Sequence, residues 1–424
     1  MTIAVGASLV LLASACGSSS KSAATTTTAA PATTAPATTA APGTTPAAGT
    51  TGAAGTTPAG GTTGKDGGPT SIGKGEGELD IVAWAGYAED GSDDPNVNWV
   101  KPFEDQTGCK VNVKIGNTSD EMFQLMQTGQ YDGVSASGDS SVRMIDAGLV
   151  APVNTSLITN YADLSSFLKD QPYNTSGGVH YGIPHGWGAN YLMYNTDVVT
   201  PAPDSWSVVF DKNSPYKGKV TAYDAPIYIA DAALYLKSAQ PDLGIKDPYS
   251  LTQKQFDAAV SLLKDQKSII GEYWSNYALS QTAFEQGSTV LGTTWQVIYN
   301  GAVGDKAHVA TVLPKEGATG WSDTWMVSSK AKHPNCMYMW MNYETSPAVQ
   351  AQVSEYFGEA PANPKACALI TSDPTHCDVF KATDADFAKS ISFWATPRKQ
   401  CLDGSGDDCV PFSDWISAWT DIKG

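Results

Sequence analysis

HYGIPHGWGANYLMYN, residues 180–195, is the stretch that decides the fold. Its pattern predicts one long extended segment that crosses between two blocks of alternating strands and helices. A second extended segment, KAHVATVLPKEG at residues 306–317, predicts a crossing back. Two α/β lobes joined by two crossings leave a cleft between them, and open sheets of this kind bind ligands outside the carboxyl ends of their strands. The expected fold class is therefore α/β, with two lobes and two interlobe crossings.

Before the first crossing, strand and helix patterns alternate. In order, the sequence predicts a strand that runs into a loop over residues 79–87, a helix over 98–106, a strand over 109–115, a helix over 119–126 and a strand over 131–137. Gly108 and Gly129 are expected to end the two helices, because glycine adopts the left-handed conformation at low cost. Ser119 is expected to cap the second helix. This order is typical of a largely parallel sheet.

After the first crossing, the clearest predicted elements are helices. They are expected over residues 229–239, 252–265, 275–286, 335–344, 347–357, 384–393 and 414–420. We assign residues 76–186 and 312–424 to lobe 1 and residues 187–311 to lobe 2.

The two crossings are expected to act as a hinge. A solute that contacts both lobes favours the closed form, so we expect closure about His185 and Pro314 when a ligand binds. Trp187, Trp321 and Trp325 also lie at the crossings. Their position favours packing at the hinge over contact with a ligand.

Charge and composition limit the classes of partner. The chain has 424 residues, which favours two globular domains, and its formal net charge is -17. No face rich in Lys or Arg is evident along the sequence, so a nucleic-acid partner is not expected. The 12 tryptophans are more than a core usually needs, which makes their positions the main question.

Residues 1–16 are predicted to be a lipoprotein signal. The apolar run from Ile3 to Ala15 is too short to span a bilayer and has the length of a signal-peptide core. It ends in small residues and Cys16, which resembles the lipobox of bacterial lipoproteins, where the cysteine is lipidated. The alternative is an ordinary cleaved signal with an incidental cysteine. We expect an exported protein that touches the outer face of the cytoplasmic membrane through a lipid anchor only.

Residues 17–75 are predicted to form a disordered tether. They consist mainly of Thr, Ala, Pro, Gly and Ser, a composition that cannot bury enough apolar area to fold. A flexible coil of about fifty residues has an end-to-end distance of roughly 40 Å. That length suits a domain held clear of a membrane or cell wall.

The six cysteines that follow Cys16 are expected to form disulfides, since an even number in an exported chain favours a disulfide framework. Six cysteines allow about fifteen connectivities. Local spacing favours Cys367–Cys377 and Cys401–Cys409, which leaves Cys109–Cys336 by elimination. None of them forms a CxxC pair, so neither a metal site nor a redox site is expected.

Eight motifs follow one another along the folded part of the chain. They are W-x-x-Y at 84–87, FEDQTGCKV at 103–111, YDGVSASG at 131–138, YGIPHGWGANYLMYN at 181–195, SPYKGKV at 214–220, YWSNY at 273–277, GTTW at 292–295 and PKEGATGWSDT at 314–324. Together they resemble the type 2 periplasmic-binding-protein superfamily and, within it, the spermidine/putrescine-binding family of ABC importers. The resemblance covers residues 79 to about 365. It implies a two-lobed monomer without a cofactor that binds a small-molecule solute and delivers it to an ABC permease.

The resemblance also implies which side chains bind the solute, because the family holds a linear polyamine between aromatic walls and carboxylates. Trp84 and Tyr87 match a family aromatic pair at the end of the first strand. Ser137 matches a serine that contacts the ligand. Trp295 matches a tryptophan at a strand end in the second lobe, and Trp274 is placed similarly.

The charged residues depart from the family pattern. Asp323 falls where the family has an acidic residue in the second crossing. Of the second-lobe carboxylate pair only Asp224 remains, in an offset position near Tyr228, and Asp139 stands where the family has a tyrosine. We keep all four as candidate ligand-binding residues. Because the aromatic walls are kept while the carboxylates have moved, the expected ligand is a small polar, cationic solute such as a polyamine, a quaternary amine or an amino-acid derivative.

Two other classes of function compete with solute binding. An exported hydrolase needs a nucleophile with a base, and the five histidines are scattered without an H-E-x-x-H motif. The sequence also lacks G-x-S-x-G and S-x-x-K, so an enzyme is not expected. A sensory or cell-envelope interaction protein that reuses the fold stays open, because a fold does not fix a function.

Overall fold

The computed structural model describes residues 67–401, 405–406 and 408–424. The expected signal, Cys16 and residues 17–66 of the expected tether lie outside the described residues. Contacts with the folded part begin earlier than the sequence predicts, within the last residues assigned to the tether. The N–H of Gly73 donates to Oδ1 of Asn335 (2.7 Å), and Nδ2 of Asn154 donates to the carbonyl of Pro69 (2.9 Å).

Strands form the centre of the fold. In the described part they are β1 (Glu78–Ala83), β2 (Lys110–Ile115), β3 (Gly133–Ala136), β4 (Thr175–Ser176), β5 (Val179–His180), β6 (Gly182–Asn195), β7 (Val220–Tyr223), β8 (Ile270–Trp274), β9 (Leu291–Trp295), β10 (Val309–Val312), β11 (Ala318–Val327), β12 (Ala360–Pro361) and β13 (Ile391–Phe393). The main sheet has the order β2-β1-β3-β11-β6-β9-β7-β8, with β10 and β12 added to β6 and β13 added to β11. Strand β1 is parallel to β2 and β3, and β7 is parallel to β8 and β9. These two parallel groups correspond to the two predicted blocks.

Strand β6 joins the two groups, as the opening segment predicts. Its first half pairs with β11, from Gly182 to Ala189, and its second half pairs with β9, from Asn190 to Tyr194. Twelve of its fourteen residues are buried. A strand buried on both faces reads as a continuous run of apolar and small residues, which is the pattern seen here.

Helices cover the sheet. In the described part they are α1 (Val100–Thr107), α2 (Ser119–Gln127), α3 (Gly138–Asp146), α4 (Ser207–Phe210), α5 (Ile229–Ala239), α6 (Gln253–Gln266), α7 (Tyr277–Glu285), α8 (Gln296–Gly304), α9 (Pro334–Glu344), α10 (Pro347–Phe357), α11 (His376–Val379), α12 (Ala385–Ser390) and α13 (Phe412–Lys423). Within the described residues, none of them combines the length and the apolar character needed to cross a bilayer.

Most predicted elements are confirmed, with two local corrections. The cap of α2 is Thr118 and not Ser119: Thr118 is extended, and its side chain accepts the N–H of Glu121. The helix predicted over 384–393 ends at Ser390, and Ile391–Phe393 forms β13 beside β11. Pairing with an existing strand therefore overrides the helical pattern at its end. Gly108 and Gly129 end α1 and α2 with φ of 73° and 68°, as predicted.

The last part of the chain, residues 391–424, is called the C-terminal arm below. It begins with β13 on the edge of β11 and ends with α13, which packs on α6. Trp415 contacts Phe256 (ring centroids 5.6 Å apart), and Trp419 contacts Tyr228 (6.0 Å). The arm thus reaches residues assigned to lobe 2, whereas the sequence assignment places it in lobe 1. The lobe boundaries stay a prediction.

Three disulfides link the described cysteines: Cys109–Cys336, Cys367–Cys377 and Cys401–Cys409. They are the pairs that local spacing and elimination favour. The first bond spans 227 residues and fixes α9 against the start of β2. The other two close short loops near and within the C-terminal arm, with separations of 10 and 8 residues. Closing the longer loop removes more entropy from the unfolded chain in the chain-entropy account.

Candidate ligand-binding site

A cavity of about 60 Å³ lies where β1, β3 and β9 end, beside β11. That volume is roughly four to six times the space that one water molecule requires. The residues that line it are Trp84, Ala85, Tyr87, Gly116, Asn117, Ser137, Ser275, Asn276, Tyr277, Trp295, Trp321, Asp323, Phe357 and Trp394. Seven of these side chains are aromatic, and one is charged.

Trp295 stands at the centre of the aromatic wall. Its ring lies 6.4 Å from Trp84, 6.4 Å from Trp321 and 6.5 Å from Trp394, measured between centroids. Trp274 packs edge-on behind it at 4.9 Å. Aromatic rings present a negative face, so a wall of this kind attracts a cation and excludes water.

The turn after β1 brings Trp84 and Tyr87 to the cavity. The N–H of Trp84 donates to Oγ of Ser135 on β3 (3.3 Å). Gly86 has φ of +91°, and an added Cβ would lie 2.8 Å from the ring of Phe357. A residue with a side chain is therefore excluded there by both backbone and packing. The turn thus places both aromatic side chains of the W-x-x-Y motif at the cavity.

Asp323 on β11 is the acidic residue of the cavity. Its Oδ1 accepts the hydroxyl of Ser137 (2.6 Å), and its Oδ2 accepts the hydroxyl of Tyr87 (2.9 Å). Burial raises the pKa of Asp323 to about 6, although these two hydrogen bonds and His185 oppose the rise. The carboxylate is therefore mostly ionised at neutral pH, with two of its lone pairs already used.

Glu359 lies directly behind Tyr87. The phenol oxygen is 2.9 Å from Oδ2 of Asp323 and 3.2 Å from Oε2 of Glu359, yet it carries a single proton. Burial raises the pKa of Glu359 to about 8; His185 opposes the rise and Asp323 adds to it. A protonated Glu359 donates to the phenol oxygen, and Tyr87 in turn donates to Asp323. The Glu359 carboxyl group lies against Gly186 of β6. A side chain at position 186 would displace it, because an added Cβ would collide with the carboxyl group.

His185 and Glu344 complete this acid layer, which we define as Tyr87, Asp323, Glu359, His185 and Glu344. Nδ1 of His185 accepts the indole N–H of Trp325 (3.0 Å), and Nε2 is 3.4 Å from Oε1 of Glu359. Burial lowers the pKa of His185 and raises the pKa of Glu344 well above its usual value. Both groups are fully buried, and burial disfavours the charged form of each.

Five predicted site residues line this one cavity: Trp84, Tyr87, Ser137, Trp295 and Asp323. Whether they bind a ligand stays a prediction. Trp274 does not line the cavity; it supports Trp295 and donates its indole N–H to the carbonyl of Thr293 (3.1 Å).

Three further candidates lie outside the lining. Asp139 is buried and accepts the hydroxyl of Ser119 (2.8 Å), and burial raises its pKa to about 6. Asp224 accepts both the indole N–H of Trp419 (3.0 Å) and Nζ of Lys423 (2.6 Å) from α13.

Tyr228 is also buried away from the cavity, where its hydroxyl accepts Nε2 of Gln266 (2.9 Å). The carboxylates of Asp139 and Asp224 therefore have hydrogen-bond partners inside the protein.

The sequence missed part of the wall. The sequence favours packing at the hinge for Trp321, yet this residue lines the cavity two residues before Asp323, on the same face of β11. Trp394 comes from the C-terminal arm, which follows the region of family resemblance. Tyr277 and Phe357 also line the cavity. Tyr277 belongs to the YWSNY motif, so the family resemblance could have indicated it as a candidate site residue.

One cluster outside the cavity has the donor types of a metal site. Ligand atoms of Asp80, Asp132 and His333 lie within 4.8 Å of one another. Asp132 already accepts the backbone N–H groups of Lys332 (2.7 Å), His333 (2.9 Å) and Asp80 (2.9 Å). Nδ1 of His333 lies 2.7 Å from Oδ2 of Asp132. These bonds give the cluster a structural role, joining β1 and the start of α9.

Comparison with known proteins places the chain among binding proteins. A family model described as bacterial extracellular solute-binding protein matches residues 98–377. The spermidine/putrescine-binding periplasmic protein of Escherichia coli (strain K12) is 25% identical over 309 residues, which is 70% of this chain and 85% of the relative.

Solved structures of other proteins resemble the fold. A spermidine/putrescine ABC transporter protein of Listeria monocytogenes has a TM-score of 0.67 at 18% identity and covers 82% of this chain and 99% of its own. A lipoprotein of Treponema pallidum has a TM-score of 0.65 at 16% identity, with coverage of 82% and 99%. The predicted two-lobed α/β fold of periplasmic binding proteins is confirmed.

Proposed function

The chain belongs to the family of bacterial extracellular solute-binding proteins, and we propose that it is the receptor of an ABC importer for a small solute with a single ammonium group. The observation that carries the proposal is one buried carboxylate, Asp323, in a cavity with seven aromatic side chains. A cation over an aromatic face gains about 0.5–2 kcal/mol, and more when water is excluded. A buried cation also needs a carboxylate partner, because its desolvation penalty otherwise dominates.

The number of charges supports a monocation. Among the described residues that line the cavity, Asp323 alone is acidic, and none is basic. Asp224, the remainder of the expected second-lobe pair, is already paired with Lys423. A diamine bound here would leave one ammonium group facing aromatic rings without a carboxylate, which is costly.

The position of the cavity supports capture by closure. Its lining comes from segments before β6, such as Trp84 and Ser137, and from segments after it, such as Tyr277 and Trp295. A ligand that contacts both sets binds the closed form better than the open form, so binding shifts the population toward closure. The closed form is then recognised by an ABC permease.

We also propose that the protein is anchored through Cys16 on the outer face of the cytoplasmic membrane. Relatives of the chain are named periplasmic proteins, and one structure that resembles it is of a lipoprotein. Metabolic labelling with palmitate should mark the wild-type chain and leave Cys16→Ser unlabelled. Equal labelling of both would exclude this anchor.

The comparisons support solute binding and give no support to a hydrolase or to a sensory role. The test of the proposal is a thermal shift of the full chain with choline, tetramethylammonium, putrescine and spermidine. A ligand at about 100 times its Kd stabilises by about 2.7 kcal/mol, which raises Tm by about 3–5 °C for a chain of this size.

We expect the two monocations to give the larger shifts. The matched control is the neutral analogue of choline in which carbon replaces nitrogen, and it should give none. If no ammonium compound shifts Tm, or if the neutral analogue shifts it equally, a cationic ligand is excluded.

A further inference from the structure

A second, larger cavity lies next to the ligand cavity. Its volume is about 270 Å³, against about 60 Å³ for the first. Two aromatic residues, Tyr277 and Phe357, line both cavities. The turn after β1 also contributes to both, because Ala85 and Tyr87 line the first cavity and Gly86 lines the second. The two cavities are therefore neighbours that share a wall.

The shared wall is built from two rings in contact. Tyr277 is the first residue of α7 and Phe357 is the last residue of α10, and their ring centroids lie 6.5 Å apart at an angle of 72°. Phe357 is only 7% exposed, and its ring also packs on Tyr87 (4.8 Å) and Trp321 (6.0 Å). An added Cβ at Gly86 would lie 2.8 Å from the same ring. The Phe357 ring thus fills the space at this end of the ligand cavity.

The second cavity is acidic. Among the described residues that line it, Glu355 alone is charged, so no lysine or arginine of the lining neutralises its carboxylate. Oε1 of Glu355 is buried and has no hydrogen-bond partner in the protein. Burial raises the pKa of both Tyr277 and Tyr356, which line this cavity, and the negative charges of Glu89 and Asp93 add to the rise. Negative potential of this kind favours a cation.

Each cavity therefore has one acidic residue in its lining, Asp323 in the first and Glu355 in the second. The rings of Tyr277 and Phe357 stand between the two. A ligand with two ammonium groups needs a carboxylate for each, because an unpaired ammonium group in an apolar cavity is costly. The wall thus decides whether a second ammonium group can find its partner.

We propose that Tyr277 and Phe357 determine which ligands fit, by closing the ligand cavity against a cation long enough to reach Glu355. The proposal rests on the proposed function and adds the residues that select a compact monocation over a diamine. In the wild-type protein, a longer ligand collides with the two rings, and a well-packed site tolerates extra volume poorly. Without one of the rings, the cavities join and the second ammonium group meets Glu355.

Calorimetry with ligands that share one head group tests the proposal. Choline carries one trimethylammonium group, whereas hexamethonium and decamethonium carry two, joined by a shorter and a longer methylene chain. We expect the full wild-type chain to bind choline about tenfold or more tightly than either dication. A dication that binds the wild type as tightly as choline would overturn the proposal and leave a receptor for cations standing. Failure of all three to bind the wild type would instead contradict the proposed function.

Removal of either ring should relax the length limit. We expect Tyr277→Ala and Phe357→Ala each to raise the affinity of at least one dication relative to choline by about tenfold or more. Tyr356→Ala is the matched control, because Tyr356 lines only the second cavity, and it should leave the affinity ratio unchanged. Tyr277 is partly exposed, so its variant tests the proposal even where loss of the buried Phe357 ring unfolds the protein. An unchanged ratio in Tyr277→Ala contradicts the proposal.

The second carboxylate is tested by adding Glu355→Gln to Tyr277→Ala. This change removes the charge and keeps the shape of the side chain, so the ratio of dication to choline affinity should fall back about tenfold. Because the readout is a ratio that the shortened side chain first raises, a loss of stability does not mimic the result. A gain that survives Glu355→Gln in full would overturn the role of Glu355.

Discussion

The aromatic wall lines the cavity, whereas three of the five residues of the acid layer, His185, Glu344 and Glu359, lie outside the lining. The wall contains three indole N–H groups without a partner, whereas the hydroxyl and carboxyl groups of Tyr87, Asp323 and Glu359 form a hydrogen-bonded chain. The acid layer holds three carboxyl groups, one histidine and Tyr87; of its three carboxyl groups, Asp323 is the one that lines the cavity. A ligand therefore meets one carboxyl group, Asp323, because Glu359 and Glu344 do not line the cavity, and burial raises the pKa of both.

Charge removal from the cavity should have the largest effect. Asp323→Asn leaves a bound cation without its carboxylate, so we expect affinity for an ammonium ligand to fall by about a hundredfold or more, measured by calorimetry. Asp224→Asn is the control, since Asp224 pairs with Lys423 outside the cavity. A change of more than about threefold in the control, or none in Asp323→Asn, would misplace the charged end of the site.

Loss of the central ring should have the next largest effect. Trp295→Ala removes the ring that the other tryptophans surround, and Trp84→Ala removes a neighbour. We expect each to weaken binding about tenfold or more, through lost cation–π attraction and lost burial. Trp340→Phe, in the core beside Trp325, is the control for a general effect on the fold. Unchanged affinity in both cavity variants would locate the ligand elsewhere.

Acid should weaken binding through Asp323. A cation favours the ionised carboxylate, so affinity is full above the pKa of about 6 and falls as the pH drops through it. Between about pH 7.5 and about pH 5 we expect a loss of about tenfold for a quaternary ammonium ligand, whose own charge does not titrate. Calorimetry at the two pH values measures it, and the Asp323→Asn variant should show a flat profile. An affinity that rises in acid would contradict the assignment.

The acid layer should affect stability more than binding. Folded Glu359 has a pKa of about 8 against 4.5 for the free side chain, so from about pH 4.5 to 8 the folded state holds a proton that the unfolded state has released. The free energy of unfolding then falls as pH rises, by at most about 1.4 kcal/mol per pH unit for this group. Glu359→Gln lacks that proton, so its urea-unfolding stability should fall less steeply with pH. The exposed Glu285→Gln should keep the wild-type slope, and parallel curves for all three proteins would exclude a protonated Glu359.

The sequence predicts the wall better than the acid layer, for a physical reason. Trp84 and Tyr87 follow β1, Trp295 ends β9, and the hydrophobic pattern identifies both strands. Strand ends define the site in such sheets. Glu359 and Glu344 follow or end helices of the later chain, and only tertiary packing places them beside His185. The sequence does not predict Trp394, because its arm carries no motif and the strand before it, β13, exists only through pairing with β11.

The central claim is that an ammonium group binds in the aromatic cavity against Asp323. A crystal structure of the full chain with choline tests it most directly. The account predicts the nitrogen within about 6 Å of the centroids of cavity tryptophans, with Asp323 as its nearest carboxylate. Choline bound outside this cavity, or inside it with its nitrogen directed away from Asp323, would contradict the account.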